Sequence, residues 1–368
     1  MMGNLRRIAP MQYAALVLLV VSTFGGTRSS AQIPAGCRPS AVGIQFADVG
    51  GNHKAAAIAT GLEGITVRRS DGTRFLPNEY WTADIYYGTD VTGKDNIFFA
   101  DVDGDGRADA VVAEKDGIAV RLSDSTQFVP YSLWSREPYY GSLAGHANNY
   151  FADVTGDGRA DAIVVNPSGV AVRRSDGVRF LPNEPWTEGA YYGDLGTYFA
   201  DVTGDGRADA IAVNRTGITV RRSNGRRFLH NEIWTSDPYF GDVGDSVYFA
   251  DVNGDGKADA IVVNRNGIAV RLSDGSRFLP LQTWVDHPYY GAIATAFVDV
   301  DGDGKADAVA VNRDGILVRL SNGWRFTRRE RWTQNPFYAD LAPVCESAAN
   351  DHGHDLHEGG GRRFGDHR

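Results

Sequence analysis

Short stretches of alternating apolar and polar residues recur along the chain in a constant layout. In residues 197–241, TYFADV alternates and predicts a first strand, followed by the turn TGDGR and a second strand, ADAIAVN. NRTG predicts a turn in which Gly217 suits a positive φ. GITVRR predicts a third strand, SNG a tight hairpin turn and RRFL a fourth strand. NEIWTSDPYFGDVGD is left over as a long connection. No stretch of useful length carries a helical period. Four antiparallel strands per unit make a propeller blade.

The unit repeats at a period near 50. Its first Asp falls at Asp48, Asp101, Asp153, Asp201, Asp251 and Asp299, in steps of 53, 52, 48, 50 and 48 residues. The tryptophans keep the same rhythm, at Trp81, Trp134, Trp186, Trp234, Trp284 and Trp332, with Trp324 as the one extra. Such a period marks a propeller, solenoid or array. The prediction is an all-β propeller over residues 32–345 with six four-stranded blades. The blades span approximately 42–94, 95–146, 147–194, 195–244, 245–292 and 293–340. A seventh blade shared by the two ends stays open.

Each unit but the first carries an acidic turn in one register. Counting from the first Asp, acids occupy positions 1, 3, 5 and 9, with Gly at 4 and 6. The second unit has Asp101, Asp103, Asp105 and Asp109; the sixth has Asp299, Asp301, Asp303 and Asp307. The fifth has Asp251, Asn253, Asp255 and Asp259. In the third and fourth, Thr155 and Thr203 take position 3 beside Asp153, Asp157, Asp161 and Asp201, Asp205, Asp209. Hard oxygen ligands at alternate positions with Gly for the sharp turn suit Ca²⁺ better than Mg²⁺, which demands stricter geometry. Position 7 is Arg107, Arg159, Arg207, Lys257 or Lys305. Its backbone carbonyl is the expected ligand, with the cationic side chain turned to solvent. Without a cation the clustered carboxylates repel. The bland alternative is a solvated Asp-rich hairpin. Loops two and six are expected to bind more tightly than the three-carboxylate loops. The first unit, DVGGNHKAAA, keeps Asp48 but has Ala56 at position 9 and is expected not to bind.

These turns carry much of the acid. The formal net charge is −9, and no basic stripe points to nucleic acid. Arg6 and Arg7, the apolar run AALVLLVVSTF and Ser29-Ser30-Ala31 read as a signal peptide over residues 1–31. An uncleaved anchor is the alternative. Loss of its three arginines leaves −12, which five Ca²⁺ would bring to about −2. Export makes the protein secreted, extracellular or periplasmic. The only cysteines, Cys37 and Cys345, bracket the repeats, and in an oxidising compartment the pair is expected to bond and close the ring. Two free thiols are the alternative. Residues 346–368, with HGHDLHEGGG, read as a disordered tail.

The signature D-x-[DNT]-G-D-G-x-A-D followed by an apolar strand resembles the FG-GAP/VCBS repeats of integrin α-subunit propellers and their bacterial and fungal relatives. The resemblance spans roughly residues 40–340. FADV and IVVN stand where the integrin letters would be, which favours the VCBS branch. It implies a structural Ca²⁺ loop between the first two strands of each blade. It also implies a binding module, since relatives include fungal integrin-like lectins and adhesion domains. Carbohydrate recognition at repeated sites is the leading expectation, and integrin-like protein adhesion the alternative. Ligand residues are sought in the aromatic connections: Trp81, Tyr86, Tyr87, Trp134, Tyr139, Tyr140, Trp186, Tyr191, Tyr192, Trp234, Tyr239, Trp284, Tyr289, Tyr290 and Trp332. The competing reading packs these rings blade against blade. The arginines of the VRRS and VRLS segments, such as Arg173, Arg221 and Arg271, are expected at strand edges or the surface, with binding of anionic glycans as the alternative. No Gly-x-Ser-x-Gly, His-Glu-x-x-His or phosphate loop is present, so no enzyme is predicted.

Overall fold

Within each repeat the β-branched runs pair with their sequence neighbours, so each sheet has the strand order of the chain. The structure, a computed structural model, describes residues 37–38, 43–61, 64–82, 97–114, 116–141, 149–243, 247–333, 335, 337 and 344–345. The expected signal peptide, the expected disordered tail and the pair Tyr86–Tyr87 lie outside them. Six four-stranded antiparallel sheets form the blades. The innermost strands are Ile44–Ala47, Ile97–Ala100, Asn149–Ala152, Gly196–Ala200, Val247–Ala250 and Ala294–Val298. Each touches the innermost strands of both neighbours, and Ile44–Ala47 touches Ala294–Val298, so the ring closes on six.

All four strands of every blade come from one continuous stretch of chain. The two ends do not share a seventh blade among the described residues. They form a two-residue antiparallel ladder instead, with Cys37 opposite Cys345.

The fourth strand is not where the apolar pattern put it. In the fourth blade it is Glu232–Thr235, inside the expected connection, and RRFL is turn. The side chain of Asn224 accepts the backbone N–H groups of Arg226 (3.0 Å) and Arg227 (2.9 Å). This Asx turn competes with a ladder, and only the bridge Ser223–Phe228 forms. Glu232–Thr235 then pairs with Gly217–Arg221 through a bulge between Ile218 and Thr219. In the first, third and sixth blades the outer strand shrinks to two residues.

The core lies between blades. One cluster joins Val170, Val172 and Trp186 of the third blade to Phe199, Ala210 and Phe228 of the fourth. Each repeat Trp packs on a Phe of the next blade: Trp81 on Phe128, Trp134 on Phe180, Trp186 on Phe228, Trp234 on Phe278 and Trp284 on Phe326. Trp332 on Phe75 closes the circle at 5.3 Å. Separations of 5.0–5.6 Å with tilted or edge-on rings are the favourable arrangement for aromatic quadrupoles.

Candidate functional site

The acidic turn joins the first two strands of each blade, and its geometry follows from its own side chains. Asp201 accepts the N–H of Gly204 on Oδ1 (2.6 Å) and of Gly206 on Oδ2 (2.7 Å). Both glycines sit at positive φ, 79° and 82°, which the tight coil around that carboxylate requires. Asp209, at position 9, is fully buried. It accepts the Ser223 N–H on Oδ1 (2.8 Å) and the Val202 N–H on Oδ2 (3.3 Å). The same two bonds recur at Asp109, Asp161, Asp259 and Asp307. Each oxygen keeps a second lone pair.

Burial drives these carboxyl groups upward despite the N–H donors, and the neighbouring carboxylates add to it. Asp109, Asp161, Asp259 and Asp307 are pushed up to about 8 and Asp209 to about 7. Asp101 and Asp301 rise to about 6, again chiefly by burial. In loop two, oxygens of Asp101, Asp103 and Asp109 lie within 4.8 Å of one another; in loop six, those of Asp299, Asp301 and Asp307 do. These are the two loops with a position-3 carboxylate. The donor set is all hard oxygen and suits a hard cation.

The position-7 side chains do not turn to solvent as expected. Arg107 pairs with Asp105, Arg159 with Asp157, Arg207 with Asp205, Lys257 with Asp255 (2.9 Å) and Lys305 with Asp303 (2.6 Å). Their stems lie against the position-4 Gly of the preceding blade, as Arg159 does on Gly104 and Lys54 on Gly302. A Cβ at Gly104 would meet the Arg159 stem at 2.9 Å, so Gly is needed there for contact as well as for φ.

Two further contacts run round the whole ring. The position-8 N–H donates to the position-1 carbonyl of the preceding blade, from Ala108 to Asp48 (2.7 Å) round to Ala55 and Asp299 (2.8 Å). The hydroxyl of the Ser opening each third turn donates to the position-2 carbonyl of the preceding blade. Ser123 reaches Val49 (2.6 Å), and Ser70 reaches Val300 (2.5 Å). The first loop takes part in both rings without its position-9 acid. Asp48 still accepts the N–H of Gly51 (2.8 Å) and His53 (2.6 Å), with His53 forced to a φ of 60°. Sequence reading missed the Ser, Ala and Phe roles; the signal was recurrence of SDG, SDS or SNG and RF or QF in every unit.

The aromatic candidates divide. Trp81, Trp134, Trp186, Trp234, Trp284 and Trp332 are buried between blades, 1–5 % exposed, and offer no face to a ligand. Tyr139, Tyr191, Tyr239 and Tyr289 are also buried. Their hydroxyls donate across the blade boundary to the carbonyls of Ala162, Ala210, Ala260 and Ala308. For all of these the ligand-binding expectation is corrected to inter-blade packing.

The arginines are corrected too. Arg173 is buried, Arg221 and Arg271 are half-buried, and each lies over the Tyr of the preceding connection, Arg221 at 4.5 Å from Tyr191. The Glu two residues before the Trp in NEYW, NEPW and NEIW is engaged within its blade, Glu79 by Arg69, Glu184 by Arg174 and Glu232 by Arg222, and Asn78 and Asn231 accept from Arg68 and Arg221. That leaves the second ring of each pair. Tyr140 is half-buried, while Tyr192, Phe240 and Tyr290 are exposed.

One of them lines a cleft between the fifth and sixth blades. It encloses about 460 Å³, walled by Pro288, Tyr289 and Tyr290 on one side. Ala310, Asn312, Asp314, Leu317, Arg329 and Arg331 wall the other. Polar groups converge there beside an aromatic ring in an open, mostly polar cleft.

A closed six-bladed propeller whose first turns carry a repeated acidic register defines the class. A family model for the FG-GAP-like repeat matches residues 101–164, 153–212, 201–262 and 251–310, more than half of the chain, and the protein belongs to that family. No curated protein sequence matches it. Among solved structures, it is similar to a lectin of Agrocybe aegerita described as specifically recognising non-reducing terminal N-acetylglucosamine. They share 24 % identity and a TM-score of 0.58 over 80 % of this chain and 81 % of that one. It is also similar to part of the Photorhabdus luminescens Tc holotoxin pore, at 18 % identity and a TM-score of 0.52 over 78 % of this chain and 14 % of that one. Both likenesses show the fold. No helix among the described residues is long and apolar enough to cross a membrane.

Proposed function

We propose that the protein is an exported, calcium-stapled propeller that acts by binding carbohydrate, without catalysis. The observation that carries the reading is the cleft between blades five and six. An exposed ring, Tyr290, stands there beside the Arg329 guanidinium and the second carboxylate oxygen of Asp314, a flat apolar face next to hydrogen-bonding groups, while Asn312 is engaged with Ala292 and Ala310. The similar lectin fold supports it. The same register recurs at Tyr140, Tyr192 and Phe240, so weak sites gain by multiplicity.

Asp101, Asp103, Asp109 and Asp299, Asp301, Asp307 would hold calcium in loops two and six. The buried position-9 acids with positions 1 and 3 would do so in loops three to five. Bound calcium supplies the positive charge these carboxylates lack. The chain's own part is to hold each carboxylate by two N–H donors and to clamp each loop to the next blade. The closest test is a glycan array with and without chelator. Binding that weakens on chelation supports the whole reading. No glycan signal, with a protein partner captured instead, would overturn it.

A further inference from the structure

The two positions flanking each outer strand's Glu, Gln or Ser carry different residues from blade to blade. Three residues and one residue before the repeat Trp stand Asn78 and Tyr80, Tyr131 and Leu133, Asn183 and Pro185, Asn231 and Ile233, and Leu281 and Thr283. None of these is charged. In the sixth blade the two positions are Arg329 and Arg331, and both line the cleft. This stands on a chain whose formal net charge is −9.

The two arginines are held differently. Arg331 donates from Nη1 to the Asp314 carbonyl and from Nη2 to Asp314 Oδ2, both at 2.8 Å, which fixes the guanidinium plane at the cleft wall. Arg329 is exposed and has no hydrogen bond or ion pair among the described residues. Asp314 is the one acid in the lining, so the cleft is left with an excess positive charge. Behind it, burial lowers the Arg319 guanidinium below its ordinary value, and the charge of Arg329 adds to that. Asp286 offsets part of that effect on Arg319, and the Arg329 charge also acts on Asp314.

We propose that the cleft between blades five and six takes a sugar bearing a carboxylate, a hexuronate, with Arg329 as its charge partner. Arg331, oriented by Asp314, is the second donor. Guanidinium forks match carboxylate geometry in a way a neutral hydroxyl cannot. Tyr290 covers the apolar face of the ring. This rests on the carbohydrate reading and narrows it for one of the clefts.

Titration calorimetry on the full chain in calcium buffer tests it, with D-glucuronate against D-glucose, which differ at C6 by the carboxylate. Glucuronate is expected to bind about tenfold tighter or more at low salt, with the preference shrinking as salt rises. Arg329→Gln, an exposed change that leaves the melting temperature alone, is expected to erase most of that preference, and Arg331→Gln to reduce it. Equal affinities, or a preference that survives Arg329→Gln, would overturn the proposal while neutral-glycan binding stands. Binding of neither sugar here and of no glycan on the array would overturn both.

Discussion

Replacing Asp209 by Asn separates the two forces that meet at each acidic turn. Asp209 is fully buried and accepts one N–H on each oxygen. The amide keeps one acceptor and turns its NH₂ toward the other donor. The Val202 bond at 3.3 Å is the weaker, so the amide nitrogen settles there, at a cost of about 1–2 kcal/mol. The opposing effect is electrostatic. Folding raises this carboxyl from 3.8 to about 7, so above pH 7 the ionised side chain disfavours the metal-free fold by a few kcal/mol.

The sign follows from linkage. A raised folded pKa gives stability that is complete below about pH 4 and lost as the pH climbs through about 7. In chelator at pH 8, Asp209→Asn is therefore expected to be neutral or stabilising. In millimolar calcium the same change removes a ligand and is expected to cost about 2–4 kcal/mol of bound-ion stabilisation. Urea melts of both proteins, each with calcium and with chelator, give four free energies and one coupling term. An equal effect in the two buffers would refute the claim that this turn is organised around a cation.

Other outcomes follow from packing and backbone. Trp186→Ala empties the boundary between blades three and four and is expected to lower stability by about 3–5 kcal/mol in thermal or urea melts, far beyond a surface change. Ser125 stands at φ 76° where other blades place Gly, so Ser125→Gly is expected to raise stability by up to about 1 kcal/mol; a loss would show the strain is not real. With Cys37 opposite Cys345, the protein, if exported as proposed, is expected to resist alkylation until reduced. The double Ser variant is then expected to lose stability, with about 5–6 kcal/mol from loop entropy as the ceiling. Intact mass after iodoacetamide, with and without reductant, decides this.

The period, the blade count and the turn register were legible because each rests on local chemistry. Asp and Gly at fixed offsets specify a coil wherever they stand, as Asp201, Gly204 and Gly206 do. The outer strand was not legible, because RRFL and EIWT are equally apolar over four residues. The choice falls to the Asn224 side chain, whose bonds to its own backbone leave no ladder for RRFL. The Trp residues misled for a related reason. A ring in a connection invites a ligand, but a ring on an outer strand meets the next blade, and only the position of Glu232–Thr235 tells them apart. The position-7 cations were misplaced because their partner, the position-4 Gly of another blade, is about 50 residues away in sequence. The arginine pair at the last cleft is visible in the sequence only after the outer strand has been put in register.

The way the ring is closed has one more consequence. Every blade is whole, and residues 37–38 meet residues 344–345 in a ladder of their own rather than completing a shared sheet. In strand topology no blade is therefore privileged as the first. A circular permutant joined through residues 37 and 345, and opened in any connection between blades, preserves every sheet and every loop-to-loop bond. Only the order in which the ribosome delivers the blades would change.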